Sequence, residues 1–570
     1  MKKVFLSVLV LGLISCGGGG APPPPATPTP PLPPITVSVS PASATLPAGA
    51  TQQFTATVQN TTNTAVTWQV NGITGGDSTV GAISTNGLYT APLSPPETGV
   101  VTVTAVSQAD STKSGSVTAT IVFSNATLTG QYAFSFSGVD TSGFFLVAGS
   151  FNADGNGNLT NGVEDLNHGT GVFPNLPFTG SYSIGPDGRG SATITSSQGT
   201  SNLRFVVLSN DLALFIQFDT FANGLGTIAR QDTSAFANSA LVGGYSFGLD
   251  GLSVNGPLST AGRFTLDGVG GIAAGVQDIN DGGFVTPNVP FTGTYNVGLN
   301  GRGTATLTGT LGTLQFSFYV VSAKEFRIVS LDFLPAMLGS AQQQEAPSFS
   351  NSALFGDYVF LSGGVSTLGR TASAGRFSAN GSGGISSGIS DQNDAGMVSE
   401  NIAFTGTYNI SSNGRGTAAL TSALGTSNFA FYMVSGGQAF FLQTDIFAVT
   451  IGTVTAQAGT PFTTASVSGS FGFGIGGVTI VGPINLSGQL TANGAGTISG
   501  TEDVNDAGTL SQDVSLSGSY AVASNGRGTA TLTTPSGTSQ LRFYVVSASG
   551  VVLVGVDSTE VLLGAAGKQF

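Results

Sequence analysis

An arginine inside a Gly-Arg-Gly triplet occurs at Arg189, Arg302, Arg415 and Arg527, at steps of 113, 113 and 112 residues. Three other landmarks keep that register: Tyr182, Tyr295, Tyr408 and Tyr520; Phe205, Phe318, Phe431 and Phe543; and Asp165, Asp278, Asp391 and Asp503. Four landmarks in one register mark four copies of one unit, at 125–235, 237–346, 351–459 and 465–570. Solenoid repeats run to about 20–50 residues, whereas a unit of this length is domain-sized. The expectation is beads on a string, each with its own core.

The first unit parses into eight strand-like runs, beginning near Gln131, Phe144, Asn158, Pro177, Arg189, Asn202, Leu212 and Gly224. Turn signals separate them, among them Asp154-Gly155-Asn156-Gly157, Pro186-Asp187-Gly188 and Ser209-Asn210-Asp211. Short links favour sequential antiparallel pairing. Eight meandering strands can close into a barrel and leave no exposed edge. A sandwich of two four-stranded sheets is the alternative. The first run sets Tyr132, Phe134 and Phe136 on one face, and later copies keep an apolar stripe there, as in Tyr245, Phe247 and Leu249. The stripe reads as core. The meander is similar to the calycin barrels in strand count and in its initial Gly130-Gln-Tyr132, although calycins usually carry tryptophan at that tyrosine. That resemblance implies binding of a small apolar molecule.

Upstream, 35–122 changes character. Ile35-Thr-Val37-Ser-Val39 and Phe54-Thr-Ala56-Thr-Val58 alternate with strand period. Trp68, the single tryptophan, lies in Val66-Thr-Trp68-Gln-Val70, and Gly87-Leu88-Tyr89-Thr-Ala91-Pro92 follows. This stretch resembles the bacterial Ig-like family, which implies a β-sandwich with Trp68 in its core and no inter-sheet disulfide. The fold class expected for the whole chain is therefore all-β: one Ig-like β-sandwich, then four tandem eight-stranded antiparallel β-barrels.

At the N-terminus, Lys2 and Lys3 precede ten apolar-rich residues, Val4 to Leu13. A membrane-spanning helix needs roughly 20 apolar residues, so this run has the length of a signal-peptide core. It ends in Leu13-Ile14-Ser15-Cys16, which resembles a bacterial lipobox. The resemblance implies removal of 1–15 and lipidation of Cys16, the chain's single cysteine. Several acyl chains anchor stably where one is marginal. Gly17 after the cysteine points to the outer membrane in a two-membrane cell. The stretch 16–34, with Pro22 to Pro25 in one block, reads as an extended tether.

Charged residues make up only 8% of the chain, yet 40% is apolar, enough for repeated small cores. The net charge of −13 is thinly spread and no basic stripe exists, which disfavours nucleic acid. Asp154-Gly-Asn156-Gly-Asn158 has calcium-loop spacing, but the later copies keep only its glycines, so it reads as a turn and no metal is expected. Glu164-Asp165-Leu-Asn167-His168 and its copies offer a carboxylate pair. The first carboxylate is missing from two copies, and His168 is the only histidine. No catalytic residues and no cofactor are expected. Asp165, Asp278, Asp391 and Asp503 read as structural, each pairing with its own unit's arginine: Arg189, Arg302, Arg415 or Arg527. The function expected is a non-catalytic lipoprotein of the cell envelope, held at the outer membrane or cell surface by its lipid. It would form an extended arm for adhesion, binding or envelope structure, meeting a glycan, matrix or cell-surface protein. The alternative is a carrier of small hydrophobic ligands inside the barrels.

Overall fold

The computed structural model describes residues 19–20, 32–310 and 312–570. Cys16 and most of the tether lie outside the described residues.

The chain is all-β, and each of the four units is a closed barrel of eight antiparallel strands. The barrels run from Thr129–Asp140 to Ala222–Arg230, from Val242–Ser253 to Ala336–Gln343, from Phe355–Ser366 to Ala448–Ala456, and from Ser468–Thr479 to Glu560–Lys568. In the first, the opening strand pairs with the last from Tyr132 opposite Arg230 to Asp140 opposite Ala222, so no edge remains. Closure excludes the two-sheet alternative. The strands of this barrel start at Thr129, Gly143, Asn158, Gly171, Arg189, Gly199, Leu212 and Ala222. The fourth begins earlier than the sequence suggests. Asn175 there adopts a φ of +54°, and the register slips beside it, which lets the strand carry Pro174 and Pro177.

Period-2 alternation decides which side chains fill each barrel. In Gly171–Ile184, Phe178, Tyr182 and Ile184 are buried while Thr179, Ser181 and Ser183 face water. One end of each barrel is plugged from outside. The glycine before each landmark arginine has positive φ and presses on a phenylalanine at the start of its unit: Gly188 on Phe123, Gly301 on Phe236, Gly414 on Phe349 and Gly526 on Phe462. A Cβ at Gly301 would sit 2.5 Å from the Phe236 ring. The landmark tyrosines secure the same end: Tyr182 donates to the Leu128 carbonyl (2.8 Å) and Tyr408 to that of Leu354 (2.7 Å). This closed end is the base; the opposite hairpins form the mouth.

The barrels are not spaced along a line. They close into a ring, which corrects the extended arrangement expected from sequence. Outward residues Ala133, Leu146 and Ala148 of the first barrel bury against Tyr319, Val329 and Leu338 of the second. Ala261 and Val276 meet Ala430, Tyr432 and Leu442. Val359 and Ala374 meet Tyr544 and Val554. The fourth barrel then returns to the first, with Gly472 and Gly474 against Val206, Leu208, Leu214 and Leu225. Each linker continues onto the barrel ahead: Asp232 N donates to Val321 O (2.7 Å), Glu345 N to Val434 O (2.8 Å) and Ala458 N to Val546 O (2.8 Å). The C-terminus repeats this contact on the first barrel, where Phe570 N donates to Leu208 O (2.9 Å).

All four mouths open on one side. Mouth turns meet mouth turns, as at Gly283 beside Ile446, Gly396 beside Ser558 and Gly508 beside Thr220. Base meets base, as where Gln131 donates to Asn300 O (3.0 Å). The N-terminal residues form three small sheets around one core that includes Phe54, Trp68, Tyr89 and Val103. This module rests on the base side, where Asn210 N donates to Ser94 Oγ (2.9 Å) and Lys568 pairs with Glu97 (2.6 Å). Its first strand starts beside Gly115, at the end remote from Val122, where the chain enters the first barrel.

Candidate functional site

The recurrent Asp-x-Asn segments and Gly-Arg-Gly arginines meet, but across barrels rather than within them. Asp165 of the first barrel accepts both arms of Arg302 of the second, at 2.6 and 2.8 Å. Asp278 takes Arg415 and Asp391 takes Arg527 at the same distances. The expected pairing inside a unit is thus corrected. Asp165 sits on the outward face of its strand, and the nearest outward partner belongs to the next barrel. Asp165 also accepts from Ser317 and Tyr319, each at 2.6 Å, and from Asn175 N (2.9 Å). Burial opposes its ionisation, but the Arg302, Ser317 and Tyr319 hydrogen bonds outweigh burial and hold the carboxyl below its ordinary value.

The asparagine two residues on bridges the same seam. Asn280 Nδ2 reaches the carbonyls of Gln443 (2.9 Å), Asp445 (3.2 Å) and Ala448 (2.9 Å) in the third barrel. Asn505 does likewise to Gln217, Asp219 and Ala222 in the first. A glutamine at each unit's end completes the joint: Gln231 on Val320 O, Gln344 on Met433 O, Gln457 on Val545 O and Gln569 on Val207 O. These glutamines keep the landmark register in sequence, so the signal for them was available.

The closing seam differs. Val206 stands where the other seams have Tyr319, Tyr432 and Tyr544, and Arg189 is shared among Asp503 (3.4 Å), Asp513 (2.6 Å) and Asp187 (3.0 Å). Burial there pushes the Asp503 carboxyl up, with Arg189 opposing only in part.

Asp154 Oδ1 accepts from the backbone of Asn156 and Asn158, a turn-closing role. Glu164 and Asp165 are neighbours on a strand and so point to opposite faces. Glu164 turns into the barrel, where burial pushes its carboxyl up to about 7, while Asp165 turns out to Arg302. They do not flank a common space. His168 pairs with Asp140 (2.8 Å) at the first mouth, and Trp68 is core.

Inside the barrels the four copies diverge. The first is filled by seven phenylalanines, Phe134, Phe136, Phe145, Phe151, Phe178, Phe205 and Phe215. The third holds a chamber of about 320 Å³ running from the mouth at Thr367 and Phe447 to Tyr408 near the base. Paired register shows why. Where the first barrel has Phe136, Phe145, Val147 and Leu166, and the fourth has Ile475, Ile484, Leu486 and Val504, the third has Ser362, Thr371, Ser373 and Gln392. The second barrel has a mouth cavity of about 310 Å³, apolar in its Leu249, Leu258, Ile279 and Met337 walls, and a separate lower void of about 50 Å³. The fourth keeps about 60 Å³.

No protein-family model and no curated protein sequence matches the chain. The site therefore rests on geometry. It comprises a ring locked by charged and amide joints, with the four mouth ends on one face and cavities reaching the mouth in the second and third barrels.

Proposed function

We propose that this chain is a non-catalytic lipoprotein of the bacterial cell envelope, anchored through Cys16, whose ring of barrels is a platform presented outward for binding. The lipobox-like Leu13-Ile14-Ser15-Cys16 and the Pro-rich stretch after it support the anchor and the tether. The N-terminal module, which resembles a bacterial Ig-like domain, is the spacer between tether and ring.

The observation that carries the reading is polarity. The module rests on the base side, its first strand starting at the end remote from the ring, so the mouths face away from the lipid. The mouth hairpins carry exposed apolar tips, among them Val254 (83%), Phe284 (72%), Phe447 (66%) and Ile480 (84%). Such groups are more numerous at the mouths than at the base, where Val269, Leu299 and Phe355 are exposed, and a face richer in exposed apolar groups marks an interaction surface. Four mouths in one plane also give multivalent contact, which multiplies weak affinities. The recurrent carboxylates are spent on the seams, which favours binding over hydrolysis.

Intact cells expressing the protein, treated with protease, test the placement. Loss of the ring from cells carrying Cys16, and its retention in protease-protected form in a Cys16→Ala strain, supports the reading. Full protection inside intact cells, with no lipid found on Cys16 by mass spectrometry, contradicts it.

A further inference from the structure

We propose that the third barrel is a binding chamber for a neutral amphiphile with an aryl or hydrocarbon body and a hydroxyl-bearing head. An aryl glycoside is one member of that class. The inference does not depend on where the protein is anchored.

The chamber has two chemically distinct halves. Its lower half is aromatic, with Phe360, Phe377, Phe404, Phe431 and Phe441 around the void. Its upper half is lined by hydroxyls and carboxamides from Ser362, Thr371, Ser373, Ser390, Gln392 and Thr450. No lysine or arginine lines it, so an anionic head would find no counter-charge. The single carboxylate, Asp394, lies at the mouth and accepts the Ser366 hydroxyl (2.6 Å).

This polarity is particular to the third copy. The fold does not need it, because the first and fourth barrels put phenylalanine, valine, leucine or isoleucine at the corresponding places. Exchanging packed apolar groups for hydroxyls around a void weakens a core. Among the described residues, Ser362, Thr371, Ser373 and Gln392 find no protein partner for their side-chain polar groups, which leaves them free for a ligand head. The volume lies in the range of small-molecule sites, roughly 300–1,000 Å³. The route in is open, flanked by the exposed Leu424 (62%) and Phe447 (66%).

The second barrel's cavity is of similar size and keeps Thr260 at the Ser373 place, but Leu249, Leu258 and Ile279 fill the other three. Its polar lining is already paired, Thr260 with Gln277 (3.0 Å) and Ser253 with Asp281, which leaves few free groups for a hydroxyl-rich head. It serves as the internal control.

The test uses the full chain carrying Cys16→Ser, purified without detergent, and 4-methylumbelliferyl β-D-glucopyranoside as probe in calorimetric titration. A single equivalent is expected to bind. Giving the third barrel the fourth barrel's residues (Ser362→Ile, Thr371→Ile, Ser373→Leu and Gln392→Val) is expected to weaken binding about tenfold or more. Thr260→Leu, which fills the second barrel's cavity, is expected to leave it unchanged. Should the fourfold variant fail to fold, Ser373→Leu alone is expected to weaken binding in the same direction. Absence of binding, binding indifferent to Ser373→Leu, or binding lost with Thr260→Leu instead would each overturn the proposal. So would binding of the hydroxyl-free probe 1-aminoanthracene in the third barrel with the glucoside excluded.

Discussion

Asp165 and Arg302 lie in different barrels, 137 residues apart in sequence, and form a two-armed ion pair in which the Asp165 side chain is only 1% exposed. The same relation, advanced by one unit, links Asp278 to Arg415 and Asp391 to Arg527. The repeated motif therefore codes for the contact between units rather than for the unit itself.

Arg302→Ala leaves a buried carboxylate without its cation, and breaking such a pair costs about 3–5 kcal/mol. Denaturant unfolding should show that loss. A double-mutant cycle should find strong coupling between Asp165 and Arg302 and none between Asp165 and Arg189, although the latter two share a barrel.

The closing seam should behave differently. Burial raises Asp503 there, and no tyrosine supports it. Asp503→Asn is thus expected to cost about 1 kcal/mol near neutral pH, well short of a broken buried pair. Asp165→Asn is expected to cost as much as Arg302→Ala. Equal and large losses for the two variants would count against the difference between the seams.

Asn280 donates to carbonyls of the next barrel. Asn280→Asp replaces the donor with an acceptor facing those oxygens. A loss of about 1–3 kcal/mol is expected from the unpaired buried groups. Chemical denaturation checks it, and Asn393→Asp should behave alike.

Burial pushes Glu164 and Glu502 up to about 7. An unfolded glutamate titrates near about 4.3, so between these values the folded state binds more protons. Stability is therefore expected to be greatest below the unfolded value and to fall as pH rises through about 7. Melting curves at about pH 5 and about pH 8 should show the drop, and Glu164→Gln with Glu502→Gln should flatten it.

Much of the fold was legible in the sequence. The register of Arg189, Tyr182 and Phe205 with their copies marked four units, and turn residues such as Asp154-Gly155 and Asp187-Gly188 marked the hairpins that close each barrel. The start of the fourth strand was hidden because Pro174 and Pro177 read as breakers, while a left-handed Asn175 carries the strand past them. The ring was hidden for a different reason. A repeat fixes which residues recur, not whether Asp165 reaches the arginine of its own copy or the next. The glutamines at Gln231, Gln344, Gln457 and Gln569 keep the same register, but a recurring glutamine does not say which barrel its amide reaches. The third barrel's chamber was also visible as Ser362, Thr371 and Ser373 in a stripe that is otherwise apolar, but only once strand pairing shows which positions face inward.

Ring closure is the claim on which the seams, the common mouth face and the presentation of the platform all rest. Leu214 in the first barrel and Gly474 in the fourth approach so closely that a Cβ on Gly474 would lie 3.4 Å from that of Leu214. A disulfide needs about 3.5–4.5 Å between its Cβ atoms. The most direct measurement is oxidation of the Leu214→Cys/Gly474→Cys chain, with Cys16 replaced by serine, read by non-reducing electrophoresis and peptide mass spectrometry. A closed ring predicts rapid formation of one intramolecular disulfide in the folded protein. Free thiols, or cross-links only between chains, would mean that the four barrels do not close.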